Sequence, residues 1–588
     1  MMMHCFSSAP RRMTRVLVRR SIVGAIMFST CSLVGCRAGI FDNDDPQWRV
    51  PQSELRRIDG FDPIAASTVA PISLEDAAEK ALDEVARTPA LTGVVDLSIA
   101  EVRAAVLANN LELRAALVDP AIARENLSAE EAKFENVFFA NYNRNSNSVF
   151  TNVAQGQAAD SESWDAGLRI PLATGGDISI SSPVTRGASG LSFGGPNEDW
   201  LAALSLSMSQ PLLRGAGVDV NTHSIRVAGW QGQIVDARTK LEAIRVIADA
   251  DKGYWNLYAA YRELEVRRAQ YDVAVQQLER AKRRVAQGDA PEIEVVRAES
   301  GIGRTLEQII LADSNLRIRQ RGLKRLMNRE DLPVSSDTPL KPASNPNPVG
   351  LHLNGAELAT QAVTNRMEML ELELQLAIDQ SEIGFRRNAA LPLFVLDYGY
   401  NVQGIGSELN EAYGDMGNAD SFQVGVNGEI PLGNEAAESR VSAAILQRVQ
   451  RLATREARRH AIQTEVFDAL DALAQSWQRI LAARLETVLA ARTLAAEQRQ
   501  FDVGLRTSTD VLDASASLAN AQSREVFALS NYQIALIDIS FATGTSLGAA
   551  RIRWEPFSKD ELAAMERIPD AQEPAIKGGF TSDVLEQK

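Results

Sequence analysis

Beyond residue 36 this 588-residue chain has no cysteine, since Cys5, Cys31 and Cys36 are the only three. A body without cysteine holds no intrachain disulfide and no thiolate zinc site. Histidine is nearly as scarce, limited to His4, His223, His352 and His460. None stands at ligand spacing to another and no HExxH run occurs, so neither a metal nor a cofactor is expected. A nucleophile elbow and a phosphate-binding glycine loop are missing too, which leaves nothing to argue for catalysis. Positive charge is in deficit, 61 Lys and Arg against 76 Asp and Glu, for a net charge of -15, and this counts against nucleic acid as a partner. No stretch of the body approaches 18 consecutive apolar residues, so a transmembrane helix is excluded and a β-barrel is the remaining way across a bilayer. Proline is absent from Leu212 to Ala290 and from Leu432 to Glu555. Those intervals leave room for unbroken helices of about 65 to 70 residues, roughly 100 Å long.

The N-terminus lacks acidic residues before Asp42 while carrying Arg11, Arg12, Arg15, Arg19 and Arg20 ahead of an apolar run from Ile22 to Leu33. That is the anatomy of a secretory signal, over residues 1–35. Leu33-Val34-Gly35-Cys36 closes the run and resembles a bacterial lipobox, which would make Cys36 the acylated first residue of the mature chain. Cleavage there removes five arginines and no acid, so the exported body carries -20.

An internal repeat organises the rest. A shift of 256 residues aligns Leu97 to Arg144 with Leu353 to Tyr400 without a gap, and shifts of 220 and 216 superpose later segments in the same order. The falling offset gives the first copy an insertion between Tyr142 and Pro211, expected to be an extra hairpin at about 160–200. The boundaries read as a linker and belt segment at 36–96, a first repeat at 97–332, an inter-repeat belt at 333–352, a second repeat at 353–548 and a tail at 549–588.

Within each copy the hydrophobic period changes from helix to strand and back. Ala250, Tyr254, Leu257, Tyr261, Leu264, Arg268, Tyr271, Val275, Leu278 and Lys282 follow at steps of three and four, a heptad seam. Phe467, Leu470, Ala474, Trp477 and Leu481 repeat it in the second copy. A soluble coiled-coil scaffold would show the same helices. The strands argue otherwise: Phe422, Val424 and Val426 alternate with Gln423, Gly425 and Asn427, and Leu204, Leu206 and Met208 alternate with serines. Phe138, Ala140 and Tyr142 match Phe394, Leu396 and Tyr398 in the other copy, and Trp164 and Trp200 could furnish interfacial girdles. Segments of about ten residues with this alternation suit a barrel with lipid outside and water inside. Two strand pairs per chain are too few to close, so closure needs several chains.

The run Phe501-Asp-Val-Gly-Leu-Arg-Thr-Ser-Thr-Asp-Val-Leu-Asp-Ala514 resembles the signature turn of the TolC-like outer-membrane efflux factor family, and the resemblance extends over nearly all of residues 97 to 548. It implies a mainly α fold with a small membrane β-barrel, built from a duplicated helix-strand-strand-helix repeat. It further implies a homotrimeric duct in the outer membrane, with four principal strands per chain in one 12-stranded barrel and long helices forming a periplasmic tunnel. The partners implied are a periplasmic adaptor (membrane fusion) protein, an inner-membrane pump of RND or ABC type, and outer-membrane lipid. Energy would enter at the pump, and the chain would be a passive exit for small molecules, metals or, in type I secretion, proteins. A structural lipoprotein tethering the envelope is the reading from a different class.

The resemblance also assigns residues. Gly288 and Gly504 sit at repeat-equivalent turns, where left-handed backbone is cheap only for glycine. Val503, Gly504, Leu505, Arg506 and Thr507, with Gly288, would dock the adaptor. Asp510 and Asp513, three apart on one helix face, would line the closed entrance. Arg506 would be the restraining arginine, with Glu294 as its best candidate acceptor. Phe501 departs from the pattern, having no hydroxyl where a tyrosine is usual.

Overall fold

A computed structural model of the protein describes residues 93–148, 158–188, 198–550, 552–554 and 580–582. The export signal, Cys36 and most of the 36–96 segment lie outside the described residues. The described residues belong to one unit spanning 89–588.

The first copy opens with β1 (Val95–Leu97) and α1 (Ile99–Asn109). Ser98 and Glu101 start α1 with a reciprocal capping box, each side chain accepting from the other's backbone. Next come α2 (Leu111–Ala116) and α3 (Asp119–Glu131), separated because Pro120 enters at the start of α3. Four strands follow: β2 (Val137–Ser148), β3 (Ala158–Pro171), β4 (Asp177–Ala188) and β5 (Glu198–Pro211). A single turn, α4 (Val218–Asn221), leads into α5 (His223–Ala286), and α6 (Ile293–Met327) returns antiparallel beside it. The second copy runs β6 (Leu340–Pro342), α7 (Gly355–Asn365), α8 (Met367–Ala389), β7 (Leu393–Gly406), the short α9 (Leu409–Gly414), β8 (Ala419–Glu429), α10 (Glu435–Asp502) and α11 (Ser508–Ala542). The chain ends with α12 (Ser546–Ala549) and an antiparallel pair, β9 (Ile552–Trp554) with β10 (Phe580–Ser582).

The repeat is visible element by element. Helices α1 and α7 begin and end on residues that the 256-residue shift superposes, and α5 and α10, of 64 and 68 residues, run unbroken within the proline-free intervals, the second of which also holds α11. No described helix is long and apolar enough to cross a membrane.

The predicted seam holds through the middle of α5, where Ala250, Tyr254, Leu257 and Leu264 are buried. Further along, Leu278 stays buried, Gln270, Ala274, Gln277 and Ala281 are buried one residue before predicted positions, and Lys282 is exposed.

The core sits where both copies meet at mid-helix. Leu97, Val102 and Val106 pack on Tyr254, Leu257 and Leu264 of α5 and on Leu316, Leu323 and Met327 of α6. Polar clasps fix the connecting segments there. The Tyr254 hydroxyl donates to the Leu97 carbonyl at 3.2 Å and accepts from the Ser344 amide at 2.8 Å. The buried Lys324 ammonium donates to the Ser336 and Thr338 carbonyls at 2.6 and 2.9 Å, and burial lowers its pKa.

The strands form one antiparallel sheet of six, in the order β2-β3-β4-β5-β7-β8. Register decides which side chains share a face. Phe138 lies opposite Leu168, Leu168 opposite Ile180, Ile180 opposite Leu206, Leu206 opposite Tyr400 and Tyr400 opposite Phe422. Because successive side chains alternate, this ladder carries one apolar face across every strand. At the neighbouring level the opposite face carries Phe139, Gly167, Ser181, Ser205, Asn401 and Ser421, polar or small beyond β2. The apolar face is uncovered over much of its extent, with Phe138 73% and Phe422 75% exposed. Tyr142, Trp164 and Trp200 form an aromatic row across it, ring centroids 5.5 and 5.6 Å apart. Four principal strands were expected; six are in the sheet, because β3 and β4 lie between β2 and β5.

Candidate functional site

The two hairpin turns at the end of the helices away from the sheet are built alike. In the first, the Gly288 amide donates to Val285 and the Asp289 amide to Arg284, with Gly288 at φ +79°. In the second, the Gly504 amide donates to Phe501 and the Leu505 amide to Gln500, with Gly504 at φ +84°. Each is a Schellman closure, which satisfies the last helical carbonyls and requires left-handed backbone at the residue after the cap. Arg284 joins the turns: its guanidinium donates to the carbonyls of Phe501 and Asp289 and lies 5.0 Å from the Phe501 ring centroid. Phe501 is 1% exposed and packs with Leu494, Val511 and Ala514. Its ring is therefore a core anchor in this chain.

Helix α11 starts with a second capping box. The Thr507 hydroxyl and backbone amide both donate to Asp510 Oδ2, at 2.8 and 2.9 Å, and the Asp510 amide donates back to Thr507. The Thr507 backbone and side-chain bonds, helped by the charges of Arg506 and Arg297, hold the Asp510 carboxyl below its ordinary value against a small opposing effect of burial. Asp513, one turn on, is exposed, with Arg304 at 3.9 Å.

The expected pairing of Arg506 with Glu294 is corrected within the chain. Glu294 is buried; its Oε2 accepts from the Ser508 amide at 2.7 Å and its Oε1 from Arg297 at 2.6 Å. Arg506 instead folds back along α10, with Nε 3.1 Å from Glu497 Oε2 and 3.0 Å from Gln500 Oε1. A helix N-terminus offers a buried carboxylate unsatisfied amides and the positive end of the helix dipole. An exposed guanidinium held by a flexible stem is a weaker partner.

Sequence reading placed Val503 and Leu505 at the tip, where they are 70% and 76% exposed. It missed Ile293 and Val296 in the first turn of α6, also exposed. The available signal was the first-copy sequence Pro291-Glu-Ile-Glu-Val-Val296, whose apolar positions outnumber what one buried stripe needs. Further up, α10 bares Leu446, Val449, Leu481, Leu485 and Leu489 at helical spacing.

Comparison with known proteins bears on this architecture. The profile of the outer membrane efflux protein family matches residues 177–329 and 358–545. The outer membrane protein TolC of Vibrio cholerae is 25% identical over 362 residues, covering 60% of this chain and 78% of its own. Among solved structures, CusC superposes with a TM-score of 0.58 at 16% identity, over 77% of this chain and 93% of its own. The Campylobacter jejuni CmeC outer membrane channel superposes with 0.58 at 15% identity, over 76% and 86%.

Proposed function

The chain belongs to the outer membrane efflux protein family, and from that premise we propose that it acts as the outer-membrane exit duct of a tripartite efflux system, a homotrimer anchored through Cys36 and inserted as a barrel. The observation that carries this reading is the sheet register. It sets a continuous apolar band, from Phe138 through Leu168, Ile180, Leu206 and Tyr400 to Phe422, on one face of six strands and mostly polar or small side chains on the other, as lipid outside and water inside require. Helices α5 and α10, about 96 and 102 Å at 1.5 Å per residue, then carry the duct away from the membrane. The exposed apolar row on α10 supports packing between copies, since a helix face of that size is seldom left in water.

The tip is where the adaptor docks in this reading, on Val503, Gly504, Leu505, Arg506 and Thr507 together with Gly288. Four exposed apolar side chains, Ile293, Val296, Val503 and Leu505, give it a hydrophobic contact surface on two rigid turns. An inner-membrane pump of RND or ABC type supplies the energy. Asp510 and Asp513 line the entrance, and threefold symmetry multiplies them into a carboxylate ring that binds cations. Single-channel recording in planar bilayers tests this. Stable pores whose block by a divalent cation weakens in Asp510→Asn/Asp513→Asn are expected; membrane-bound protein that never forms pores would sink the duct.

A further inference from the structure

Strands β3 and β4 are full members of the membrane sheet. The β2–β3 ladder runs from Val137 opposite Arg169 to Ser148 opposite Ala158, and the β3–β4 ladder from Ser161 opposite Gly187 to Pro171 opposite Asp177. A peripheral flap would leave β2 to pair directly with β5, as β7 pairs with β8 in the second copy. Here β2 and β5 are separated by the whole hairpin. From Trp164 to the turn and from the turn to Val184 its large apolar side chains keep the face of their neighbours: Trp164, Leu168, Ile178, Ile180 and Val184 fall on the apolar side and Arg169, Ser179, Ser181 and Thr185 on the polar side, with Glu162 and Arg186 joining the apolar side only beyond the aromatic row.

The β3–β4 turn is locked to the helical end of the sheet. The Leu172 amide donates to Gly176 at 2.8 Å, the Gly217 amide to Thr174 at 3.0 Å, and the Thr174 hydroxyl to Gln210 Oε1 at 2.8 Å. Gly175 has φ +93°, and a Cβ on it would stand 2.2 Å from the Gly215 carbonyl oxygen. Only glycine fits so close to the β5–α4 link, which fixes the hairpin's height in the sheet.

The edges then set the closure. Among the described residues, strands β2 and β8 have no partner on their outer sides. With six antiparallel strands they run in opposite directions, so β8 of one copy meets β2 of the next antiparallel and the apolar faces continue. An unpaired edge in lipid is untenable, since no water is present there to satisfy its amides and carbonyls. We propose that three copies of this chain close as an eighteen-stranded barrel, about one and a half times as wide as the 12-stranded form that the family resemblance implies, because barrel diameter grows roughly in proportion to strand number. This rests on the trimeric duct argued above. Its consequence is that the membrane segment holds a porin-sized aqueous lumen, so that size selection falls to the helical tip and bulky hydrated cargo passes the membrane freely once admitted.

Disulfide trapping of the full-length protein in native outer membranes tests the proposal, helped by the lack of cysteine beyond Cys36. The pairs Ala140→Cys/Ala166→Cys and Val184→Cys/Ala202→Cys span β2–β3 and β4–β5 and are expected to oxidise within one chain. The pair Ala140→Cys/Leu206→Cys lies three strand spacings apart, about 14 Å, beyond disulfide reach, and is expected to stay reduced. Native mass of the detergent-purified protein is read in parallel, with a trimer expected. A trimer in which Ala140→Cys/Leu206→Cys oxidises and the other two pairs do not would overturn the eighteen-stranded barrel while sparing the duct. Any other stoichiometry would overturn the barrel and the trimeric duct together.

Discussion

At the tip, Asp510 and Asp513 have the same side chain and different employment. Asp510 spends Oδ2 on the amide and hydroxyl of Thr507, whereas Asp513 is exposed, with Arg304 at 3.9 Å. Cation block should therefore weaken more in Asp513→Asn than in Asp510→Asn, and equal effects in single-channel recordings would contradict that division. The capping role predicts a pH dependence. The folded-state pKa of Asp510 lies below its ordinary value near 3.8, so the cap's stabilisation is full above about pH 4 and is lost as pH falls through the lower folded value. Amide exchange at Thr507–Val511 should be insensitive to this group near neutrality and accelerate, beyond the intrinsic rate, only in strong acid; Asp510→Asn should flatten that response. Gly504→Ala places an L-residue at φ +84° with Arg284 3.2 Å from the new Cβ, costing about 1 to 2 kcal/mol. Hydrogen exchange in the tip should rise roughly five- to thirtyfold, and unchanged exchange would show that the turn opens by another route.

Elements differ in how much the sequence disclosed. That α5 and α10 run unbroken follows from two proline-free intervals, and the ends of α1 and α7 from their capping residues and the repeat. The seam along α5 was fully legible only near the core; beyond it Gln270, Ala274 and Gln277 are buried one residue before the predicted positions, with Gln277 donating to Ser508 of α11. The bare side of α10 is an element-scale prediction. Leu446, Val449, Leu485 and Leu489 are exposed in one chain, and their burial between copies would make a charge there costly. Leu485→Glu should shift the trimer dissociation midpoint in a detergent titration by at least about tenfold, roughly 1.4 kcal/mol. No shift would mean that this face meets water or another partner. The pairing of Arg506 with Glu294 was beyond sequence reading: spacing brings the residues to the same tip, yet the Ser508 amide reached Glu294 first.

For the whole molecule, architecture and route across the membrane are linked through the sheet. In the proposed duct a 64-residue and a 68-residue helix give length, and one apolar sheet face would give the membrane anchor. The sheet's uncovered face and unpaired edges leave a single chain incomplete in lipid. Polymer exclusion offers a check at this scale. If entrance carboxylates are neutralised and the tip opens, the largest polymer that enters from the sheet side should match a lumen wider than that admitting it from the helical side. Equal limits from both sides would place the constriction in the barrel.

The sequence by itself determined the duplication, the room for long unbroken helices and the alternation of the strands, because each is written in local period, composition or spacing. Tertiary structure alone decided that β3 and β4 insert between β2 and β5, that Glu294 caps α11 rather than holding Arg506, and that Phe501 is buried beneath Arg284. Those outcomes turn on which of several competent partners lies within hydrogen-bonding or packing distance once the chain has folded, and no local pattern encodes that distance.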